Sequence, residues 1–309
     1  MSAVADQARL TAYRTGWRVV RLMPEGAAYR LFDVLAARVH RRGGRQVDRL
    51  RSNYAVVRPE LRDADLDDLV RAGLRSYLRY WCDAFRLADR SPDELALRVR
   101  CVGDAPVRAA VAAGQGQVFF LGHLGNWDTA GAWATCHLSP VTTVAERLRP
   151  EELYAEFLAF RRRLGMTILP LTGERGVFER LQDAVRGGAI VPLLADRDLS
   201  SSGVEVDLCG RRAAVAAGPA ALALSTGAPL RPVTVHYELR PDRPAGPAAY
   251  RIVVTFGEEA LDPGTGTRAE RIRAMTQQCV DALAVTMTEH TADWHMMQRV
   301  FVGAPEPVT

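Results

Sequence analysis

The sequence predicts an α/β fold: an α/β/α sandwich with a mostly parallel central sheet and an N-terminal helical layer. Over residues 11–100, apolar side chains recur at three- and four-residue spacing, which indicates amphipathic helices. Beyond residue 101, short apolar runs alternate with helical stretches of about 10–15 residues, which is typical of βαβ units. We find no internal repeat and no linker, so we expect one domain over 1–309, with the α/β core at 101–300.

The elements of the core are predicted from these runs in chain order. Helices are expected at 106–114, 150–164, 176–186 and 268–290, the second because Pro-Glu-Glu is favourable in a first turn. Strands are expected at 117–121, 141–144, 167–171 and 190–194. Two β-branched runs, 230–239 and 250–256, are predicted to extend the sheet as antiparallel strands.

The composition, 48% hydrophobic and 25% charged, is that of a globular protein. Its longest apolar runs fall far short of the ~20 residues that span a bilayer, and no secretory signal is visible. Five widely spaced cysteines without a Cys-x-x-Cys pair argue against a disulfide framework and a structural zinc site. We therefore expect a chain on the cytosolic side, without a signal peptide, a transmembrane helix or a metal.

The segment from Arg14 to Arg51 is strongly basic. It holds ten arginines and three acidic residues, a local excess of +7, interleaved with aromatic and aliphatic side chains. This pattern favours one or two amphipathic helices that bind an anionic membrane surface. The alternative is a solvated helix face that packs on the domain.

A candidate catalytic base, His123, directly follows the predicted strand 117–121. Ligands of open α/β sheets bind beyond the carboxyl ends of the strands. Asp128, five residues on, could fold back and bind one ring nitrogen, leaving the other as a base for a hydroxyl proton. The alternative is a core histidine beside a helix-capping aspartate.

The string His123-Leu-Gly-Asn-Trp-Asp128 resembles the signature of the bacterial lipid A biosynthesis acyltransferases, which transfer a fatty acyl chain to a sugar hydroxyl. Further stretches are similar to the branch that acylates phosphatidylinositol mannosides, among them Asp196-Arg-Asp-Leu199 and Ala292-Asp-Trp-His-Met-Met-Gln298. The resemblance covers nearly the whole chain, from Tyr13 to Gln298.

The resemblance implies three catalytic positions: His123 as general base, Asp128 as its orienting partner, and Asp196. The branch usually has Glu where this chain has Asp196. We expect the shorter side chain to reach the histidine only after a backbone shift or through water.

The resemblance also implies that Glu146, Arg147 and Arg161 bind the donor or the acceptor. The planar fork of Arg161 suits phosphate oxygens. The alternative for Arg161 is a surface salt bridge within the run Arg161-Arg-Arg163.

The implied function is a peripheral acyltransferase at the cytoplasmic face of the plasma membrane. It would move a palmitoyl-like chain from acyl-CoA to a mannose hydroxyl of a phosphatidylinositol mannoside, without cofactor, metal or covalent acyl-enzyme. Its partners would be acyl-CoA, the glycolipid and an anionic membrane surface, and no nucleic acid. Two alternatives remain: another glycolipid acceptor such as a lipid A precursor, and a non-catalytic membrane-binding module.

Such chemistry needs a place for the acyl chain and donors for the oxyanion. We expect an apolar groove with Leu121, Trp127, Trp133 and Val144 as candidate lining residues. Backbone N–H groups over residues 122–125, or an arginine, are candidate oxyanion donors.

Overall fold

The structure is a computed structural model that describes residues 15–145, 151–170, 176–198, 203–242 and 249–303. The first part of the chain is helical, as predicted. Its helices are α1 (15–22), α2 (Glu25–Arg42), α3 (Arg45–Val57), α4 (Asp63–Leu87) and α5 (Pro92–Arg98). Helix α4 packs against α2 and α3, and its buried face also reaches the α/β core. None of the described helices is long and apolar enough to cross a membrane.

A five-stranded sheet forms the centre of the molecule. Its strands are β1 (Val99–Val102), β2 (Gln117–Leu121), β5 (Ile190–Leu194), β8 (Leu230–Leu239) and β9 (Tyr250–Phe256). Their order is β1–β9–β8–β2–β5, and every pairing except β8–β9 is parallel. In the register, Leu121 lies opposite Leu194 on one side and Val233 on the other. The predicted mostly parallel sheet is confirmed.

Two smaller strand pairs accompany this sheet. Strands β3 (Thr142–Ala145) and β4 (Thr167–Pro170) are parallel to each other, and a bridge between Val141 and Ile190 places them beside β5. Strands β6 (Val204–Leu208) and β7 (Arg211–Val215) form an antiparallel hairpin that the sequence analysis missed.

Helices cover both faces of the sheet. They are α6 (Ala105–Ala112), α7 (Trp127–His137), α8 (Glu151–Arg163), α9 (Val177–Arg186), α10 (Gly218–Thr226) and α11 (Arg268–Glu289). Alternate residues of β2 point to opposite layers, as strand geometry requires. Phe119 belongs to the apolar cluster that includes Ala130 of α7, whereas Phe120 belongs to the cluster with Leu283 of α11. The α/β fold with layered helices is confirmed.

The prediction for strands 230–239 and 250–256 is wrong in one respect. Strands β8 and β9 do pair antiparallel, but they lie inside the sheet, where β8 is parallel to β2 and β9 is parallel to β1. Strand β1 forms the edge instead, although the helical prediction extended to residue 100. Four residues, three half-buried and one exposed, are too short a run for periodicity to reveal a strand.

Candidate active site

His123 lies in the turn that joins β2 to α7. The turn passes so close to β8 that a Cβ at Gly125 would lie 2.6 Å from the carbonyl oxygen of Val235. Gly125 also has a φ of +56°, a conformation that favours glycine. Asn126 then caps α7 by accepting a hydrogen bond of 2.9 Å from the N–H of Thr129. His123 therefore occupies the predicted position between a strand and a helix.

Asp196 is the carboxylate that holds the His123 side chain. It follows β5, the parallel neighbour of β2, so both residues lie at the same edge of the sheet. Its Oδ1 lies 2.6 Å from Nδ1 of His123, while its Oδ2 accepts hydrogen bonds from the His123 N–H (2.9 Å) and the Trp294 indole (2.8 Å). The Asp196 side chain is fully buried, and 20% of the His123 side chain is exposed. This arrangement places a proton on Nδ1 and leaves Nε2 as the basic nitrogen.

The electrostatics of the pair keep the carboxylate charged. Burial of Asp196 opposes ionisation, but the charge and hydrogen bonds of His123 and the Trp294 hydrogen bond outweigh burial and lower the Asp196 pKa. The carboxylate of Asp196 contacts the imidazole directly, so of the two expected routes, a backbone shift or a bridging water, the water is not needed. Gly122 provides the room, because a Cβ there would lie 3.3 Å from Asp196 Oδ2.

The structure separates Asp128 from His123, so the predicted pairing is wrong. Asp128 accepts a hydrogen bond of 2.7 Å from the Tyr80 hydroxyl and two from Arg161, at 2.7 Å and 3.1 Å. Successive residues of an α-helix point about 100° apart. The preceding residue, Trp127, is the one whose ring lies beside the imidazole, with 5.5 Å between ring centroids. Asp128 therefore points to α4 and α8.

Arg161 forms this ion pair through its Nε and Nη2. The pair is buried, with 19% of the Arg161 side chain and 4% of the Asp128 side chain exposed, so the alternative of a surface salt bridge within the run 161–163 is wrong. Burial alone would lower the Arg161 pKa, but the charge of Asp128 outweighs it and raises the pKa. Burial and Asp128 raise the pKa of Tyr80, so its hydroxyl keeps the proton that it donates.

Residues 293–295 support the His123 turn from behind. The N–H of His295 donates to the carbonyl of His123 at 2.8 Å, and the N–H of Gly125 donates to the carbonyl of Asp293 at 2.9 Å. The N–H of His123 is taken by Asp196. Two of the expected backbone oxyanion donors over 122–125 are therefore already engaged, as is Arg161.

The side chains of the same segment join it to α4. Nε2 of His295 lies 2.9 Å from the Ser76 hydroxyl, which donates to Asp293 at 2.5 Å. Burial, followed by the charges of His123 and Arg79, lowers the pKa of His295 to about 3. This ring is therefore neutral at ordinary pH and acts as a support for the turn.

An apolar cavity lies between α7 and the sheet, with about 430 Å³ of empty space that includes open solvent, and Trp127 separates it from the imidazole. Leu121, Trp127 and Trp133 line it as expected, whereas Val144 packs elsewhere. Three lining residues of α7 have small side chains or none, which leaves room for the cavity: Ala130, Gly131 and Ala134. The lining follows α7 from Trp127 to Leu138, roughly 16 Å at the rise of an α-helix. The cavity can therefore accept an extended apolar chain.

Some predicted positions are not placed, and some contacts had no signal in the sequence. Glu146 and Arg147 lie outside the described residues. Tyr80 was missed altogether, and Trp294 was noticed only as part of the family resemblance. Among the described residues, no three His, Cys, Asp or Glu side chains are grouped as a metal site requires.

Comparison with known proteins identifies relatives of this chain. The family model described as bacterial lipid A biosynthesis acyltransferase matches residues 5–302. The chain is 40% identical over 295 residues to the phosphatidylinositol mannoside acyltransferase of Mycolicibacterium smegmatis, covering 94% of this chain and 90% of that protein. It is 41% identical over 300 residues to the protein of the same name from Mycobacterium tuberculosis, covering 96% and 90%. These matches extend over the helical layer and the α/β core alike.

Proposed function

The chain belongs to the bacterial lipid A biosynthesis acyltransferase family, and we propose that it transfers a long acyl chain from acyl-CoA to a mannose hydroxyl of a phosphatidylinositol mannoside. The names of its relatives support this acceptor. The observation that carries the chemistry is the imidazole of His123, bound by Asp196 and lying beside an apolar cavity. A base for a hydroxyl and a space for a chain are two of the parts that acyl transfer from a thioester needs, alongside donors for the oxyanion.

The proposed reaction is one proton transfer coupled to one substitution. Nε2 of His123 takes the proton of the mannose hydroxyl while its oxygen attacks the thioester carbonyl. The tetrahedral intermediate collapses, the carbon–sulfur bond breaks, and the coenzyme A thiolate recovers the proton from the imidazolium. Asp196 remains ionised throughout and stabilises the imidazolium, as the buried carboxylate does in other histidine bases.

We assign the acyl chain to the cavity under α7. Each methylene that leaves water contributes about 0.8 kcal/mol, so a long chain supplies most of the donor affinity. Trp127 borders both the cavity and the imidazole, which supports a thioester end of the chain near the base. In this proposal the length of the cavity from Trp127 to Leu138 sets the longest chain that fits.

We also propose that the outer face of α1 and α2 binds the cytoplasmic surface of the membrane. The core side of α2 buries Tyr29 and Phe32. The outer face exposes apolar side chains, namely Val19, Leu22, Leu31, Val34, Leu35 and Val39. Exposed arginines lie among them: Arg30, Arg38, Arg41 and Arg42. Apolar groups flanked by cations suit an anionic bilayer surface.

The function is tested by incubating the purified chain with palmitoyl-CoA and one acceptor at a time. The acceptors are a phosphatidylinositol mannoside, phosphatidylinositol without mannose, and a lipid A precursor disaccharide. Released thiol is measured, and products are identified by mass spectrometry. We expect acylation of the mannoside alone, abolished in His123→Ala. Acylation of the disaccharide in preference would overturn the acceptor, and a His123→Ala variant as active as wild type would overturn the mechanism.

A further inference from the structure

Arg79 on α4 is a cation without a counter-ion in the described part of the chain. No hydrogen bond or ion pair joins it to a described residue, and its Nε is buried without an acceptor. Its guanidinium lies over the ring of Tyr250, 3.6 Å from the ring centre, and 5.4 Å from the ring centre of Tyr237. A buried donor without an acceptor is unfavourable, and the described residues supply no acceptor for this Nε.

Two acidic residues in the surroundings of Arg79 accept hydrogen bonds from other groups, although the charge of Arg79 acts on one of them, Asp293. Asp83, one helical turn further along α4, accepts hydrogen bonds from the hydroxyls of Tyr29 and Tyr237. Asp293 accepts from the Ser76 hydroxyl at 2.5 Å and from the main-chain N–H of Tyr237 at 2.7 Å. Because neither carboxylate pairs with Arg79, the guanidinium keeps its donors for an oxyanion.

Tyr237 and Tyr250 also line a cavity beneath the helical layer, whose lining residues are mostly polar or charged and whose empty space of about 420 Å³ includes open solvent. The charged residues that line it are three arginines and one aspartate, namely Arg90, Arg98, Arg251 and Asp83. Salt bridges to Glu25 and Glu238 balance those three arginines in part. Cations, hydroxyls and aromatic rings together suit a phosphorylated polyol better than an apolar ligand.

The position of this cavity favours a lipid headgroup. Tyr29, which also lines it, belongs to α2, whose outer face we assign to the membrane surface. A helix is only about 10 Å thick, so a headgroup at the bilayer surface can reach past it. On the other side, Tyr80 follows Arg79 directly, binds Asp128 and stacks on Trp127 with 4.4 Å between ring centroids. Arg79 thus lies between the membrane-facing helix and the candidate active site.

We propose that Arg79, stacked on Tyr250, binds a phosphate group of a substrate, and that this group is the phosphodiester of the acceptor glycolipid. The proposal rests on the proposed function, because it assigns part of the acceptor to a place beside the same site. Coenzyme A carries phosphates of the same chemistry and is the other source. A planar guanidinium held on an aromatic ring is already oriented for bidentate binding of phosphate oxygens.

Calorimetric titration of the full chain tests this site with three soluble probes: glycerophosphoinositol, myo-inositol and coenzyme A. We expect wild type to bind glycerophosphoinositol and to ignore myo-inositol. Arg79→Gln weakens this binding roughly 10- to 100-fold, the range for a charge-assisted hydrogen bond, and Arg79→Lys weakens it less. Arg186→Gln, an exposed arginine of α9, is the matched control and binds as wild type does.

The outcomes distinguish the two sources of the phosphate and decide whether the proposal holds. Loss of binding to coenzyme A alone in Arg79→Gln keeps the phosphate site and assigns it to the donor. Equal binding of glycerophosphoinositol and myo-inositol by wild type overturns the proposal, whether or not any variant folds. Unchanged binding of both phosphate probes in folded Arg79→Gln overturns it as well. A chain that binds the phosphate probe but transfers no acyl group would instead refute the proposed function and leave this site standing.

Discussion

Asp196 determines which nitrogen of His123 carries a proton. Its Oδ1 faces Nδ1, and its Oδ2 is already satisfied by two N–H donors. The remaining acceptor, Oδ1, therefore takes a hydrogen bond from a protonated Nδ1. This leaves the lone pair on Nε2, the nitrogen that must face a hydroxyl if His123 is a base.

Asp196→Asn tests this assignment because it keeps the size of the side chain. The amide oxygen would remain on the two N–H donors, and the amide NH₂ would then face Nδ1. Nδ1 must accept in that arrangement, so Nε2 carries the proton and the base is lost. We expect kcat for acyl transfer to fall by about 10²–10⁴-fold, with the far-ultraviolet circular dichroism unchanged.

Asp183→Asn is the control for this series, since Asp183 lies exposed on α9 with 77% of its side chain accessible. It should transfer acyl groups at the wild-type rate. If folded Asp196→Asn retained more than about half of the wild-type kcat, the tautomer would not matter and His123 would not act as the base.

The sequence predicts these residues unequally, for a physical reason. His123 has a local signal, an apolar strand followed by Gly-His-Leu-Gly at a turn. Asp196 lies 73 residues away, and its contact depends on the pairing of β2 with β5. Only the family resemblance pointed to it. Asp128 was misassigned because five residues along the chain permit a contact, while the packing of α7 decides where the side chain points.

Three helices meet at Asp128, and this junction is the element that holds the His123 turn in place. Tyr80 comes from α4, Asp128 from the first turn of α7, and Arg161 from the last turn of α8. Since α7 begins four residues after His123, movement of its first turn would displace the imidazole. The buried ion pair thus connects the helical layer to the site.

Asp128→Asn should therefore act mainly on stability. It leaves the Arg161 guanidinium buried without a counter-ion, which costs about 3–5 kcal/mol of the free energy of unfolding. Tyr80→Phe removes one hydrogen bond to a charged acceptor and should cost about 1.5–3 kcal/mol. The double variant Asp128→Asn, Arg161→Met should lose less than the sum of the two single variants. Urea denaturation of these three variants and of the single variant Arg161→Met measures the free energies of unfolding.

The activity of the same variants separates anchoring from chemistry. Per folded molecule, Asp128→Asn should retain far more kcat than Asp196→Asn. An Asp128→Asn variant as stable as wild type yet as inactive as His123→Ala would show that the carboxylate takes part in catalysis and does not merely hold three helices together.

Elements with strong local patterns were predictable, and pairings between distant elements were not. Strand β5 was predicted at its observed bounds, because an apolar run between a helix and a turn defines it. The place of β8 and β9 inside the sheet depends on β1, whose four residues show no alternation. The register of parallel strands is set by packing on both faces, which no single strand reveals.

At the scale of the whole molecule, the proposed function requires the enzyme to meet an acceptor that stays in the bilayer. Helix α2 packs on α4, and α4 contributes Ser76 and Tyr80 to the surroundings of the site. Docking through the outer face of α2 would therefore bring the site within one helical layer of the lipid surface. The sequence predicted the arginines of this face, and the structure adds that Leu31, Val34 and Leu35 are exposed among them.

Vesicle flotation with two sets of substitutions tests this orientation. The charge variant replaces Arg30, Arg38, Arg41 and Arg42 with Gln, and its control replaces four exposed arginines elsewhere: Arg186, Arg211, Arg268 and Arg273. Each cation near an anionic surface contributes about 1 kcal/mol, so the charge variant should bind anionic vesicles up to about 10³-fold more weakly. The control has the same net charge and should bind far better.

The apolar variant Leu31→Ser, Val34→Ser, Leu35→Ser should weaken binding at high salt too, because salt screens charges but not apolar contacts. Neither variant alters slow hydrolysis of palmitoyl-CoA in solution, which needs only His123 and the cavity. Equal loss of vesicle binding in the charge variant and its control would mean that net charge, not this face, attracts the chain to membranes. Binding indifferent to both sets and to lipid charge would place the docking surface elsewhere on the molecule.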